Sequence, residues 1–304
     1  MKWAKYGLII EPAGGLKWMV THAQLPVADR IGGSHYRIYF AGRNSDNRSQ
    51  IGYAEVDLNE PRKILNITKR PVLQLGPLGS FDDSGVFPSW VVENDGKKFL
   101  FYIGWMEGKR VPYYASVGLA KSVDGGKTYK KFSRGPLLER NDVDPYMTLS
   151  SCVRIENGLW RMWYTSCTGW DISDGKPRPR YHIKYAESLD AFEWRRDGTV
   201  CIDFESDDEW AIARPCVIKE RGTYRMWYSR SGENYRIGYA ESSDGKRWKR
   251  KDDQVRIDVS KTGWDSEMVA YAFVFSHNDK KYMLYNGNNY GRDGVGFAVL
   301  ESDS

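Results

Sequence analysis

Short stretches in which aromatic and aliphatic residues alternate with charged or small ones recur along the whole chain. The stretch YRIYF at 36–40 returns as KFLFY at 98–102, WRMWY at 160–164, YRMWY at 224–228 and KYMLY at 281–285, its last aromatic residues falling 62, 62, 64 and 57 residues apart. A second phrase follows each copy: IGYAE at 51–55, VGLAK at 117–121, IKYAE at 183–187, IGYAE at 237–241 and VGFAV at 295–299. Alternation with a period of two predicts strands, because successive side chains of a strand point to opposite faces. Five copies of the same two strands predict a chain built from like units.

A fourth strand follows three copies directly and the first more loosely, at 64–75. Trp194 and Trp248 open basic stretches that lead into the aliphatic runs 200–203 and 255–258, and Tyr129 opens another leading to 136–139. The fifth copy reaches Ser304 without such a strand, and the missing piece stands at the start of the chain, where residues 3–11 run in the same order of aromatic, basic, glycine and aliphatic residues. The predicted fold is therefore one all-β domain over residues 1–304, a five-bladed β-propeller whose N-terminal strand closes the last blade and leaves no open sheet edge. Tight turns join the third and fourth strands at 122–129, 188–194 and 242–248; in each an Asp (Asp124, Asp190, Asp244) is placed to cap backbone N–H groups and an aromatic residue follows.

Composition agrees with this pattern. Of 304 residues, 12 are Trp, 20 are Tyr and 30 are Gly, a balance suited to pleated strands and tight turns. The net charge of +5 is spread over 45 basic and 40 acidic residues with no basic block, which argues against nucleic acid as a partner and leaves room for a small anionic ligand. The first ten residues lack the apolar run of a signal peptide and no stretch approaches a membrane span, so a soluble cytoplasmic protein without a membrane partner is expected. Cys152, Cys167, Cys201 and Cys216 have neither CxxC pairing nor histidines at zinc-ligand spacing, so buried reduced thiols are expected, with no metal and no cofactor.

In such a ring the first strand of each blade lines the centre and its start opens on one face. Those strands are 19–26, 82–92, 144–153, 208–217 and 265–274, the last four headed by carboxylates. Asp82, Asp144, Asp208 and Asp265 recur at comparable positions, which suits caps of strand-start turns. The side chains expected to converge are His22 with Gln24, Asp83, Ser150 with Ser151, Arg214, and Glu267 with Tyr271. Arg214 stands in an apolar strand, where an unpaired cation is costly, so a carboxylate partner or a ligand is expected beside it. Neighbouring loops add Arg43, Trp105, Trp170, Arg230 and Asn286, aromatic faces and forked donors of the kind sugar rings need. The insert 170–181 is longer than its counterparts and is expected to be a lid or an oligomer contact.

On these motifs nearly the whole chain resembles the five-bladed propeller superfamily of glycoside hydrolase families 32, 43, 68 and 130. The resemblance implies a sugar in the funnel and, in families 32 and 43, three carboxylates from the first three blades. Glycoside cleavage needs such groups because one protonates the leaving oxygen while another attacks or activates water. Here His22 and Ser150 with Ser151 stand where two of the three acids belong, and only Asp83 fits, as the orienting group or as the lone general acid of family 130. The candidate catalytic residues are therefore Asp83, Glu267 and His22; the candidate binding residues are Gln24, Arg43, Ser89, Trp105, Ser151, Trp170, Arg214, Arg230, Tyr271 and Asn286.

Three functions follow. The first is a glycosidase-like enzyme, hydrolase or phosphorylase, acting on a glycoside or sugar nucleotide in glycan assembly. The second is a non-catalytic sugar-binding propeller that has lost the acids. The third is a sialidase, suggested because the turn at 122–129 resembles the Asp-box of that family; those enzymes have six blades and need an arginine triad and a Tyr–Glu pair, and only five repeats are present here.

Overall fold

The structure, a computed structural model, describes residues 1–12 and 14–302. After β1 (Lys2–Ile10), antiparallel pairing gathers the strands into four-stranded units. The first is β2 (Thr21–Gly32), β3 (His35–Arg43), β4 (Ser49–Asp57) and β5 (Ile64–Ile67); the second is β6 (Gly85–Asn94), β7 (Lys97–Glu107), β8 (Tyr113–Ser122) and β9 (Lys130–Lys131). The third is β10 (Thr148–Glu156), β11 (Leu159–Ser173), β12 (Lys176–Ser188) and β13 (Val200–Ile202); the fourth is β14 (Ala211–Glu220), β15 (Thr223–Ser231), β16 (Tyr235–Ser242) and β17 (Lys249–Arg250). Three strands, β18 (Ala270–His277), β19 (Lys280–Asn286) and β20 (Val295–Ser302), take β1 as their fourth, with Trp3 opposite Leu300 and Lys5 opposite Ala298. The first strands contact one another in order: β2 meets β6, β6 meets β10, β10 meets β14, β14 meets β18, and β18 returns to β2. No helix among the described residues is long and apolar enough to cross a membrane.

The repeated phrases explain how each unit packs. The last aromatic of the second strand lies across the glycine of the third: a Cβ on Gly118 would run into the Tyr102 ring, and one on Gly238 into the Tyr228 ring. The tyrosine hydroxyl then reaches a carboxylate, Tyr102 to Asp82 at 3.0 Å, Tyr164 to Asp144 at 2.9 Å, Tyr228 to Asp252 at 2.6 Å and Tyr285 to Asp265 at 3.0 Å. Each acid also holds a cation: Lys131 at 2.5 Å, Arg196 at 2.8 Å, Arg250 at 2.6 Å and Lys5 at 2.7 Å respectively. Asp82, Asp144 and Asp265 are thus buried anchors. Asp208 departs from the expectation of a shared role: it is exposed, and Asp252, from the far end of its unit, takes its place.

The Asp turns glue neighbouring units together. Asp244 Oδ1 accepts the backbone N–H groups of Lys246 and Arg247, both at 2.8 Å, which hold its carboxyl well below the usual range. The backbone carbonyls of that turn accept Trp163 Nε1 at 2.7 Å and Arg161 at 2.6 Å from the preceding unit. Tyr39 and Arg37 reach the turn at Gly125 and Gly126 in the same way.

Gly238→Ala is expected to destabilise the protein by about 2–3 kcal/mol, because the new methyl must displace a buried ring whose hydroxyl is already committed. Gly169→Ala, with open space around its Cα, is the matched control and should stay within about 0.5 kcal/mol in the same urea titration.

Candidate functional site

Two side chains tie the inner strands together. Half-buried Trp90 packs on buried apolar side chains of several units and lies 4.8 Å from Phe273, ring centre to ring centre. Arg214, 2% exposed, sits on a bulge of β14 with φ of 57°, and the equivalent bulges of β2 and β18 put Leu25 and Tyr271 in the same left-handed conformation. Its guanidinium donates to the carbonyls of Pro88 (3.1 Å), Ser89 (3.0 Å), Leu25 (3.4 Å) and Pro26 (3.0 Å). The expectation of a carboxylate or ligand beside Arg214 is therefore corrected: bulged backbone from β2 and β6 supplies the acceptors, which suit a planar fork of donors. Desolvation lowers its pKa to about 10, so it stays charged at neutral pH.

Several other predicted residues are saturated by protein partners. Ser89 Oγ donates to the Ser151 carbonyl (2.8 Å) and accepts the Ser151 N–H (2.5 Å), so the two serines join β6 to β10. Ser150 accepts the Arg214 N–H at 3.1 Å. Asn286 is fully buried; its oxygen accepts the Leu25 N–H and its nitrogen donates to Ala23 and Gly294 carbonyls, all at 2.8 Å. Arg230 lies in an ion network, 3.4 Å from Asp252 and 3.8 Å from Glu209, which Arg250 shares. Asp83 caps its own turn, accepting the Gly79 N–H and the Ser84 hydroxyl, each at 2.8 Å.

What converges at the strand starts is basic and aromatic. Arg43 donates to Gln24 Oε1 (3.1 Å) and to the oxygens of Asn47 (3.1 and 3.0 Å), and its guanidinium stands 5.6 Å from the Phe87 ring centre and 5.8 Å from that of Trp105. Among the described residues it has no carboxylate partner, and desolvation lowers its pKa. Gln24 passes the chain on, donating to the Tyr290 carbonyl at 2.7 Å. His22, at φ of 63°, accepts from or donates to Thr21 at 2.8 Å. Burial first, then Arg43 and Arg292, lower its pKa to about 4, so it is neutral at pH 7. The Glu267 side chain is exposed and, among the described residues, makes no ion pair or hydrogen bond; its backbone is held by Asn288 and Arg236. Nothing joins it to Asp83, which is engaged in its own turn.

Around this group lies a tyrosine cluster of which sequence reasoning finds only Tyr271. Tyr271 stacks on exposed Tyr290 with ring centres 6.5 Å apart and meets Tyr235 at 5.9 Å, while the Tyr113 and Tyr181 hydroxyls hydrogen-bond each other. Trp170 packs edge-on against Tyr113 at 5.8 Å, and Trp210 against Tyr235 at 5.6 Å. Their signal was available, since Tyr181 and Tyr235 each precede the repeated third-strand phrase by two residues, at the place held by Ser49 and Ala115 elsewhere. The insert 170–181 is no separate loop: β11 and β12 simply continue, pairing Trp170 with Pro179 and Ser173 with Lys176.

Solved structures share the fold. A solved glycoside hydrolase superposes with a TM-score of 0.74 at 18% identity, covering 98% of this chain and 91% of its own. A thermostable family-43 glycoside hydrolase gives 0.71 at 17%, covering 93% and 92%, and a glycosyl hydrolase from Bacteroides ovatus gives 0.71 at 17%, covering 97% and 91%. The chain has the fold of these glycoside hydrolase structures. It belongs to one family with two Mycobacterium tuberculosis proteins, Uncharacterized protein Rv1502 (strain ATCC 25618 / H37Rv) and Uncharacterized protein MT1551 (strain CDC 1551 / Oshkosh), each 40% identical over 302 residues, 99% of this chain and 100% of theirs. No protein-family model matches the chain.

Proposed function

We propose that the strand units are the blades of one five-bladed propeller domain and that its funnel mouth takes a negatively charged sugar, either an acidic sugar, a sugar phosphate or a sugar nucleotide. The observation that carries this reading is Arg43: a partly buried cation beside two stacked aromatic rings, hydrogen-bonded only to neutral oxygens. A cation withdrawn from water without an opposite charge is costly, and a ligand anion removes that cost. Neutral His22 adds a hydrogen-bonding edge, and Phe87, Trp105 and Tyr290 add faces for the C–H side of a sugar ring.

The chemistry is that of a glycosidase-like enzyme in which Glu267, whose carboxylate is unengaged, or Asp83 protonates the leaving oxygen, and in which the bound anion is positioned by Arg43. A route that needs two inward carboxylates lacks its acids at His22 and Ser150. The four cysteines are free and buried, which suits a reducing compartment and an intracellular step of glycan assembly or salvage. Sugar recognition without turnover is the second reading, favoured by the hydrogen bonds that occupy Asp83 within its own turn.

A calorimetric panel of sugar nucleotides, acidic sugars and sugar phosphates, followed by product analysis, tests both readings on wild type, Asp83→Asn and Glu267→Gln. Charged sugars should bind all three proteins, with turnover by wild type falling by at least about 100-fold in the variant that removes the acid. Binding without turnover in any of them leaves the recognition reading; no preference for charged sugars sinks both.

A further inference from the structure

The far ends of the inner strands form the face opposite the funnel mouth. On it lies a cavity of about 650 Å³, walled by the turns β2–β3, β14–β15 and β18–β19. We infer that this cavity is a second ligand site, for a small polyanion with spread charges such as a diphosphate.

The wall carries an excess of cations, two of them without an ion pair among the described residues. Arg30, Arg221, Arg225 and Lys281 contribute four cations to the wall, against the acids Glu220 and Asp279. Glu220 is already committed, 3.5 Å from Arg225 and 3.0 Å from Lys281, and its other oxygen accepts the Ser276 hydroxyl at 3.3 Å. Among the described residues neither Arg30 nor Arg221 has a carboxylate partner: Arg30 donates only to the Gly33 carbonyl (2.9 Å), and Arg221, at φ of 49° in its turn, has no side-chain hydrogen bond or ion pair. Asp279 is exposed at the rim and pairs with neither. Guanidinium groups are forked donors matched to phosphate oxygens, and these two come from different units, so one ligand satisfies both only if its charges lie apart. The volume is that of an ordinary small-molecule site.

Titration calorimetry of the full chain with inorganic pyrophosphate, in low salt, tests the inference. Saturable binding at or below about 1 mM is expected, weakened at least about tenfold in the double variant Arg30→Gln/Arg221→Gln and unchanged in Arg43→Met. Both arginines are exposed, so an unchanged melting midpoint verifies that the double variant is folded. Equal affinity in wild type and double variant, or no saturable heat, overturns the second site. A loss confined to Arg43→Met overturns it too, by placing the diphosphate at the funnel mouth; the funnel reading is judged separately by its sugars.

Discussion

Arg214→Ala is expected to lower the stability of the protein by about 3–5 kcal/mol, a large effect for a single polar side chain. Two costs add. The carbonyls of Pro26, Pro88 and Ser89, each within 3.1 Å of the guanidinium, lose their donors while still shut away from water, and the side chain leaves a hole between β2, β6 and β14. Arg214→Lys should recover part of the loss, since an ammonium group donates to some of these carbonyls but cannot span both strands as a planar fork does. Urea titrations followed by tryptophan fluorescence would measure all three proteins. An alanine variant within about 1 kcal/mol of wild type would mean that the guanidinium does not tie the inner strands together.

That tie also marks where sequence reading stops. The alternation of residues, the two repeated phrases and the displaced strand at 3–11 were enough to expect β1 against β20, because the fifth repeat lacks the strand that residues 3–11 supply. The environment of Arg214 was not legible, since it depends on bulges that turn main-chain oxygens toward the axis, and backbone acceptors carry no signature in residue identity. Asp252 was hidden for a different reason: it belongs to the end of its unit, 24 residues beyond Tyr228, whereas Asp82, Asp144 and Asp265 each lie 20 residues before their tyrosine. A repeat predicts places in space, and two segments of one unit can supply the same place.

The site was legible in part for the same reason. Positions at the starts of the inner strands were expected to converge, and His22 and Gln24 do meet Arg43 there. Ser89, Ser151 and Asn286 were drawn from the same strands or the loops beside them, yet their side chains point between units and are spent on backbone. Strand parity alone does not separate a side chain that faces the mouth from one that faces the next blade, because a bulge shifts the parity by one.

Arg43→Met should abolish selective binding of charged sugars while sparing whatever affinity the funnel has for neutral ones. Losing one charge-assisted contact costs about 1.5–3 kcal/mol, or roughly 10- to 100-fold in affinity. The pH dependence gives an independent readout. His22 has a folded pKa of about 4 against 6.5 for an exposed histidine, so in the free protein its contribution to stability is complete above pH 6.5 and is lost as pH falls toward 4. A bound anion favours the protonated ring and moves that pKa back up, so complex formation takes up a proton and affinity for charged sugars rises between about pH 7 and about pH 5. Calorimetry in buffers of different ionisation heat would detect the uptake directly. In His22→Asn the pH slope should vanish while the Arg43 selectivity remains. Charged and neutral sugars losing affinity equally in Arg43→Met, with no proton taken up by wild type, would remove the anion from the funnel mouth and leave Arg43 as a structural partner of Gln24 and Asn47.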